Sequence, residues 1–423
     1  MLVRFSVKNF RSFKDETTLS MVASTRNDDN EYKELNTFDV DFNLLPKENT
    51  LIKTATIYGP NASGKSNVLK AIRYMRDAVI LSTAFDVINH NEPFAFDKES
   101  TPTSFEMEFI KNNIFYNYSF SILNGVIVNE KLSKRIERLT TVFERNNNEL
   151  KISGVNAITQ KFINVLPTIL FLSQARGFSL GSVSDDINNV LTWFSDLIIV
   201  FDEMPNLLTI YDNPKYIDEA LEILKLADIG IEDFKVYKEK IEPTVSSKGK
   251  EFNLSYPAQI LQENETFNKI DIETKFNVYD KDGNVTDTKT IYLLKDIGFH
   301  SEGTKRLLMY LGWILKALDE GKVILIDELD SKLHFLIADY ILKAFNSISK
   351  NMNNAQLIST AHNLLLMDGD IRRDEIFFTA KDYYGATILK ALSDYKGVLK
   401  KSLFSKNYLL GFYTELPNMK GDL

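Results

Sequence analysis

The sequence predicts an α/β fold with a mixed sheet that carries a glycine-rich loop, an antiparallel β lobe, and an inserted region that is helical and then β-rich. Three observations predict it. Thr50 to Tyr58 (TLIKTATIY) is rich in β-branched residues, runs into a glycine loop, and is followed by apolar residues at helical spacing. Residues 103–130 alternate apolar and polar residues between turn signals. Lys322 to Ile326 (KVILI) is a short apolar run that closes on two carboxylates.

Taken in order, Val3, Phe5 and Val7 alternate with polar neighbours and predict a first strand, then a turn and a second short strand within residues 1–22. Ser24 to Glu34 is polar and reads as a surface loop. Val68, Leu69, Ile72, Met75, Val79 and Ile80 mark a helix from Ser66 to about Ser82. Lys111-Asn112-Asn113 and Asn124-Gly125 are the turns of the meander, and Thr168 to Leu172 reads as a further strand. Residues 183–230 are mostly helical in pattern. Residues 231–295 return to strands broken by polar clusters such as Ser246-Ser247-Lys248-Gly249 and Asp280-Lys281-Asp282-Gly283. Beyond Asp296, Leu307, Leu311, Ile314, Leu315 and Leu318 line one face of a helix. A buried strand, a helix over Leu333 to Phe345 and a strand over Ala355 to Ser359 follow. The expected division is 1–180, holding the phosphate loop and meander; 181–295, the insertion; and 296–423, holding the acidic strand.

Composition narrows the function classes. A net charge of −8 and a pI near 5.3 argue against a surface that is basic throughout, although a local basic groove for DNA stays open. Lys396, Lys400, Lys401 and Lys406 form one basic run, which reads as a solvated face. With no cysteine, disulfides, thiolate catalysis and Cys-based zinc sites are excluded, which fits a reducing cytoplasm. No stretch approaches a membrane span and the N-terminus lacks a signal-peptide core, so a cytoplasmic protein with no membrane partner is expected.

Gly59-Pro60-Asn61-Ala62-Ser63-Gly64-Lys65-Ser66 matches the phosphate-loop pattern and is followed by Asn67. Its glycines let successive backbone N–H groups curl round an anion, and the next helix adds its N-terminal partial positive charge. Lys65 is expected to neutralise the β- and γ-phosphates of ATP, and Ser66 to bind Mg²⁺. In Val323-Ile324-Leu325-Ile326-Asp327-Glu328, Asp327 is expected in the Mg²⁺ shell and Glu328 as the base that orients water. A carboxylate pair after a strand is also an ordinary helix cap, so this motif gains meaning from the phosphate loop upstream.

Spacing then selects the class. Lys65 and Asp327 lie 262 residues apart (327 − 65), far more than in ring-forming AAA+ motors, and a helix immediately precedes the acidic strand. That is the ABC arrangement, so the predicted fold class is an ABC-type ATPase with a mixed nucleotide-binding sheet. His300-Ser301-Glu302-Gly303-Thr304 opens that helix at the signature position. Ser301 and Gly303 are expected to cover a γ-phosphate bound by a second copy, while a plain Ser N-cap is the competing reading. Asp330 falls in the D-loop position, and His362 in Ser359-Thr360-Ala361-His362 is placed to sense the γ-phosphate. Gln174 is the candidate Q-loop glutamine for Mg²⁺ and water, with a plain polar loop residue the competing reading. Arg11 is a candidate phosphate contact, with a surface arginine the alternative.

Together Asn9-Phe10-Arg11-Ser12-Phe13, GPNASGKSN, SEGTKR, LIDELDSKLH and STAH resemble the RecF/SMC-like ABC ATPases, and more narrowly the ATPases of bacterial abortive-infection operons, the AbiL/RloA and PARIS-like group. Asp228-Ile229-Gly230-Ile231 and the segments from Leu392 to Asp394 and Tyr408 to Gly411 belong to the likeness. The signature departs from the transporter form at His300 and Glu302. The tail departs at Tyr413-Thr414-Glu415 before Leu416-Pro417. The resemblance implies an ATP-sandwiched homodimer and an operon-encoded effector, often a TOPRIM-type nuclease. Only 61 residues (423 − 362) follow His362, too few for a fused nuclease, so the effector is expected on another chain. A RecF-like DNA clamp for repair, and a scaffold that binds ATP for assembly, are the competing functions.

Overall fold

The structure, a computed structural model, describes residues 1–25, 32–46, 48–97, 100–201, 207–227, 229–242, 244–246, 249–251, 259–263, 266–398 and 403–413. Asp228, Ser247, Lys248, Lys400, Lys401 and the tail residues Thr414, Glu415, Leu416 and Pro417, singled out above, lie outside them, as does most of the predicted Ser24 to Glu34 loop. The chain divides into two compact units. One comprises residues 1–199, 321–329 and 341–423; the other comprises 200–320 and 330–340.

The first unit contains two large sheets. The meander strands Thr103–Lys111, Ile114–Leu123 and Val126–Arg135 continue into Leu139–Asn146 and Glu149–Ile152. On the other side Leu2–Lys8 and Thr17–Ser20 complete seven antiparallel strands. Alternation along Thr103–Lys111 sends Phe105, Met107 and Phe109 inward, as a half-buried strand requires. Helix Ser182–Asp196 packs here through Trp193, whose ring stacks on Phe109 at 4.1 Å.

The second sheet is mixed, in the order Ile198–Val200, Val323–Ile326, Gln356–Thr360, Thr54–Tyr58, Ile376–Lys381, Thr387–Ala391. Its three central pairings, from Val323–Ile326 to Ile376–Lys381, are parallel, and the last two strands form an antiparallel hairpin. Thr54–Tyr58, Val323–Ile326 and Gln356–Thr360 are buried along their whole length, which explains why they read as continuous β-branched or apolar runs. Helix Lys65–Leu81 buries Val68, Leu69, Ile72, Met75 and Val79, each contributing about 1.5–3 kcal/mol of transfer free energy. Gln356 ties the two sheets. Its Oε1 accepts from Leu2 N at 2.6 Å and its Nε2 donates to Leu2 O and Ile52 O.

In the second unit, strand Thr266–Tyr279 pairs with Asp233–Ile241, Gln259–Glu263 and Val285–Tyr292. Helices Pro214–Leu226 and Glu302–Glu320 share a core with it, including Tyr216, Leu224, Phe234, Ile272, Leu307 and Leu311. Asn213 caps the first of these helices on Lys215 N, with Pro214 at its first position.

Two sequence expectations change. Thr168 to Leu172 is not a strand: Phe171–Gln174 is a short helix. Its apolar run is buried, and burial alone does not distinguish strand from helix. What favours the helix is Glu130, whose buried carboxylate accepts Phe171 N at 2.6 Å and Leu172 N at 2.8 Å and so satisfies its first amides. The compact units also run differently from the boundaries at 180 and 295. Helix Ser182–Asp196 stays with the first unit through Trp193. The helix opened by Ser301 shares the core of the second, because Leu307, Leu308, Leu311 and Leu315 pack there. No helix among the described residues is long and apolar enough to cross a membrane.

Candidate nucleotide-binding site

The phosphate loop leaves strand Thr54–Tyr58 and enters helix Lys65–Leu81, with Asn61 and Ala62 exposed at its tip. Two glycines set its path. Gly64 has φ 109°, and a Cβ there would collide with the Thr387 side chain. At Gly59 the obstacle to a Cβ is Thr379 and the Ser63 hydroxyl. Ala62 is also left-handed, at φ 62°. Such turns let neighbouring amides converge on an anion.

Hydroxyl groups brace the loop from beneath. Ser63 Oγ lies 2.6 Å from Thr379 Oγ1, and Thr387 Oγ1 donates to Ser63 O at 2.8 Å. Ser12, from the Asn9–Phe13 turn, accepts from Asn67 Nδ2 at 2.8 Å, and its carbonyl accepts from Thr387 N at 2.7 Å. The Lys65 ammonium is buried and donates to Gly59 O at 2.8 Å and Pro60 O at 3.2 Å, which holds its charge over the loop carbonyls.

The acidic strand meets this loop directly. Ser66 Oγ donates to Asp327 Oδ1 at 3.0 Å, although the two residues are 261 positions apart. The same Oδ1 accepts from Thr360 Oγ1 at 2.7 Å, and Thr360 Oγ1 in turn accepts from Glu328 N at 2.7 Å. Glu328 sits at φ 52°, an uncommon conformation for a residue with a Cβ and one found disproportionately at functional sites. Its Oε1 lies 3.9 Å from His362 Nε2, both side chains being a little under half exposed. Asp327, Glu328, Ser66, Lys65 and His362 thus gather at the ends of three adjacent strands.

The donor set suits Mg²⁺. Ser66 Oγ and the Asp327 carboxylate are hard oxygen donors on one spot, and among the described residues no group of three His, Asp or Glu side chains offers an all-protein cage. A cation held by one carboxylate, one hydroxyl and substrate phosphates is the arrangement such residues allow. When bound it would neutralise phosphate charge.

Two predicted residues are not brought to this spot. Gln174 follows Ser173, whose Oγ donates to Val79 O at 2.6 Å near the far end of helix Lys65–Leu81. Val79 is thirteen residues past Ser66, about 20 Å at ~1.5 Å per residue. The Gln174 amide donates to Asn164 O, and its Oε1 is buried with no partner among the described residues. The structure thus places Gln174 beside Asn164 rather than beside Ser66 and Asp327. The strand that does lie beside the acidic strand is Ile198–Val200. Arg11, at φ 50°, pairs with Glu92 at 2.5 Å and borders a cleft of about 450 Å³ with Lys70, Arg73 and Tyr74; its neighbour Ser12 makes the contact with the loop.

The remaining candidates belong to the second unit. Ser301 is exposed and its Oγ accepts from Thr304 N at 3.0 Å, capping helix Glu302–Glu320. A Cβ on Gly303 would collide with Lys332 O, so a glycine is needed for this packing. Glu302 pairs with Lys305 at 3.1 Å and Lys332 at 3.6 Å. His300 is buried against Thr274 Oγ1 at 3.1 Å, and burial, then Lys305, holds its pKa below the usual value. Asp330 is half-buried in the turn that follows the acidic strand, where its carbonyl accepts from Leu333 N.

Residues 55–368 match the family model described as "AAA domain, putative AbiEii toxin, Type IV TA system", a span that holds the phosphate loop, the acidic strand and His362. The chain belongs to that family. This AAA domain is also similar to the solved SmcHead bound to the C-winged helix domain of ScpA, at 12% identity and a TM-score of 0.41, over 92% of this chain and 97% of that one. A search of curated proteins found no match.

Around the AAA-domain site, sequence reasoning missed Ser12, Thr360, Thr379 and Thr387. Ser12 and Thr360 lay inside quoted motifs, at the turn after the first strand and two residues before His362. Thr379 and Thr387 carried no local signal, because only the hairpin pairing brings them under the loop.

Proposed function

We propose that the protein is an ATP-hydrolysing switch that works as a head-to-tail dimer in bacterial defence against phage, controlling a separately encoded effector such as a TOPRIM-type nuclease. The observation that carries the ATPase reading is the Ser66–Asp327 hydrogen bond, which joins the phosphate loop to the acidic strand. Lys65 and the loop amides bind the β- and γ-phosphates. Ser66 and Asp327 would hold a cation such as Mg²⁺, which would offset phosphate charge when bound. Glu328, next along the chain and within 3.9 Å of His362, orients water and accepts its proton, and His362 reads the γ-phosphate.

The dimer reading rests on Ser301 and Gly303. Both sit at an exposed helix start, where backbone N–H groups and the positive end of the helix dipole suit a phosphate presented by a second copy. The defence role rests on the family description, which links this domain to a toxin–antitoxin system, and on the motif resemblance to abortive-infection ATPases. Replacing Glu328 by Gln is the test of the catalytic assignment. ATP binding is expected to persist while turnover falls at least a hundredfold in a phosphate-release assay; a variant that turns over normally removes Glu328 from the mechanism.

A further inference from the structure

One side chain outside the expected catalytic set bridges the Asp327 carboxylate and the Glu328 backbone N–H at the end of the acidic strand. Thr360 is fully buried in the strand between Thr54–Tyr58 and Val323–Ile326. Its hydroxyl has one proton and two lone pairs. The proton goes to Asp327 Oδ1 at 2.7 Å, and one lone pair accepts Glu328 N–H at 2.7 Å. Its backbone carbonyl accepts Leu329 N at 2.9 Å. Three successive residues of the chain are thereby fixed by one threonine.

The fixed peptide is the unusual one. Glu328 at φ 52° occupies the left-handed region, which costs a residue with a Cβ roughly 1–2 kcal/mol. Such a conformation persists when its surroundings over-determine it, and the Thr360 hydroxyl supplies the hydrogen bond to that peptide's N–H. The turn brings the Glu328 carboxylate to His362, while the same hydroxyl occupies one lone pair of the Asp327 oxygen that also accepts from Ser66.

We infer that Thr360 is a positioning residue for ATP hydrolysis: its hydroxyl locks the Asp327–Glu328 peptide so that the cation-holding carboxylate and the water-orienting carboxylate are presented in fixed relation. This rests on the ATPase reading above. A displacement of about 1 Å at a catalytic group can cost on the order of a hundredfold in rate. Because the Thr360 hydroxyl bonds to Asp327 and to the Glu328 N–H, the loss should fall on turnover more than on nucleotide affinity.

The test uses the full chain with Thr360→Val, which keeps the branched shape suited to a buried strand, beside Thr360→Ser, which keeps the hydroxyl, and Glu328→Gln. For Thr360→Val, kcat is expected to fall ten- to a hundredfold with KM for ATP within about threefold of wild type. Thr360→Ser should recover most of the rate. Adding Thr360→Val to Glu328→Gln should lower the residual rate no further. Wild-type kcat in Thr360→Val, or equal loss in the Val and Ser variants, overturns the proposal, since a purely packing role would not distinguish hydroxyl from methyl. If Glu328→Gln itself hydrolyses ATP normally, the assignment of Glu328 as the water-orienting residue fails instead, and if the wild-type chain hydrolyses no ATP the ATPase reading fails. Should Thr360→Val not fold, Thr360→Ser alone decides, because a serine that loses kcat as fully as Glu328→Gln contradicts the role of the hydroxyl.

Discussion

Glu375 gives the sharpest quantitative prediction. It is fully buried beneath the phosphate-loop strand, where its carboxyl group accepts from Thr54 Oγ1, Asn346 Nδ2 at 3.1 Å, Asn36 Nδ2 at 2.7 Å and Arg372 N at 2.7 Å. Those donors favour the charged form, but burial opposes it more strongly and pushes the pKa from 4.5 up to about 7. The folded chain therefore holds this proton more tightly than the unfolded one. The resulting stabilisation is fully present below pH 4.5 and is lost as the pH rises to about 7, above which stability stays flat. At ~1.36 kcal/mol per pH unit the interval is worth about 3 kcal/mol, most of which falls between pH 5 and pH 8. Glu375→Gln removes the proton equilibrium and turns an amide NH₂ toward donors, a cost that does not change with pH. In urea denaturation from pH 5 to pH 8, wild type should lose about 2–3 kcal/mol relative to the glutamine variant. Parallel pH profiles for the two proteins would refute the reasoning.

Two further substitutions probe the frame of the site. Arg145 is fully buried, donating to Asn147 O, Ile169 O and Leu166 O at 2.7–2.8 Å and lying 3.6 Å from Glu130. Arg145→Met removes the buried counter-charge of Glu130 and the side-chain donor to three carbonyls, so destabilisation of about 3–5 kcal/mol is expected in chemical denaturation; a change below about 1 kcal/mol contradicts this role. Gly64→Ala places a methyl group against Thr387 at a φ of 109° and should weaken ATP binding at least tenfold in a fluorescent-nucleotide titration. Unchanged affinity would show that the loop conformation does not set nucleotide binding.

Much of the nucleotide sheet was legible in the sequence because its strands are buried on both faces, so they appear as unbroken runs bounded by chemistry-bearing loops. TATIY ending at Gly59 and VILI ending at Asp327 are of this kind, and helix Lys65–Leu81 announced itself by apolar periodicity. The hairpin Ile376–Lys381 and Thr387–Ala391 was not legible, although it braces the phosphate loop, because its role depends on a pairing across more than 300 residues. Gln174 shows the opposite failure. Its local sequence, an apolar run closing on Ser-Gln, matched the expected pattern, but the Glu130 carboxylate turns that run into a helix at the wrong end of helix Lys65–Leu81. Thr360 was visible as a residue and silent as a function, since hydrogen bonds from one hydroxyl to two carboxylate-bearing neighbours exist only once the strands are adjacent.

In the proposed dimer, nucleotide joins two copies through Lys65 of one and Ser301 of the other. Sedimentation velocity on Glu328→Gln, with and without Mg-ATP, tests it most directly. A monomer that becomes a dimer on adding ATP, and stays a monomer when Ser301→Ala or Lys65→Ala is introduced, is the predicted result. A sedimentation coefficient indifferent to ATP, or a dimer equally stable without the Ser301 hydroxyl, would contradict it.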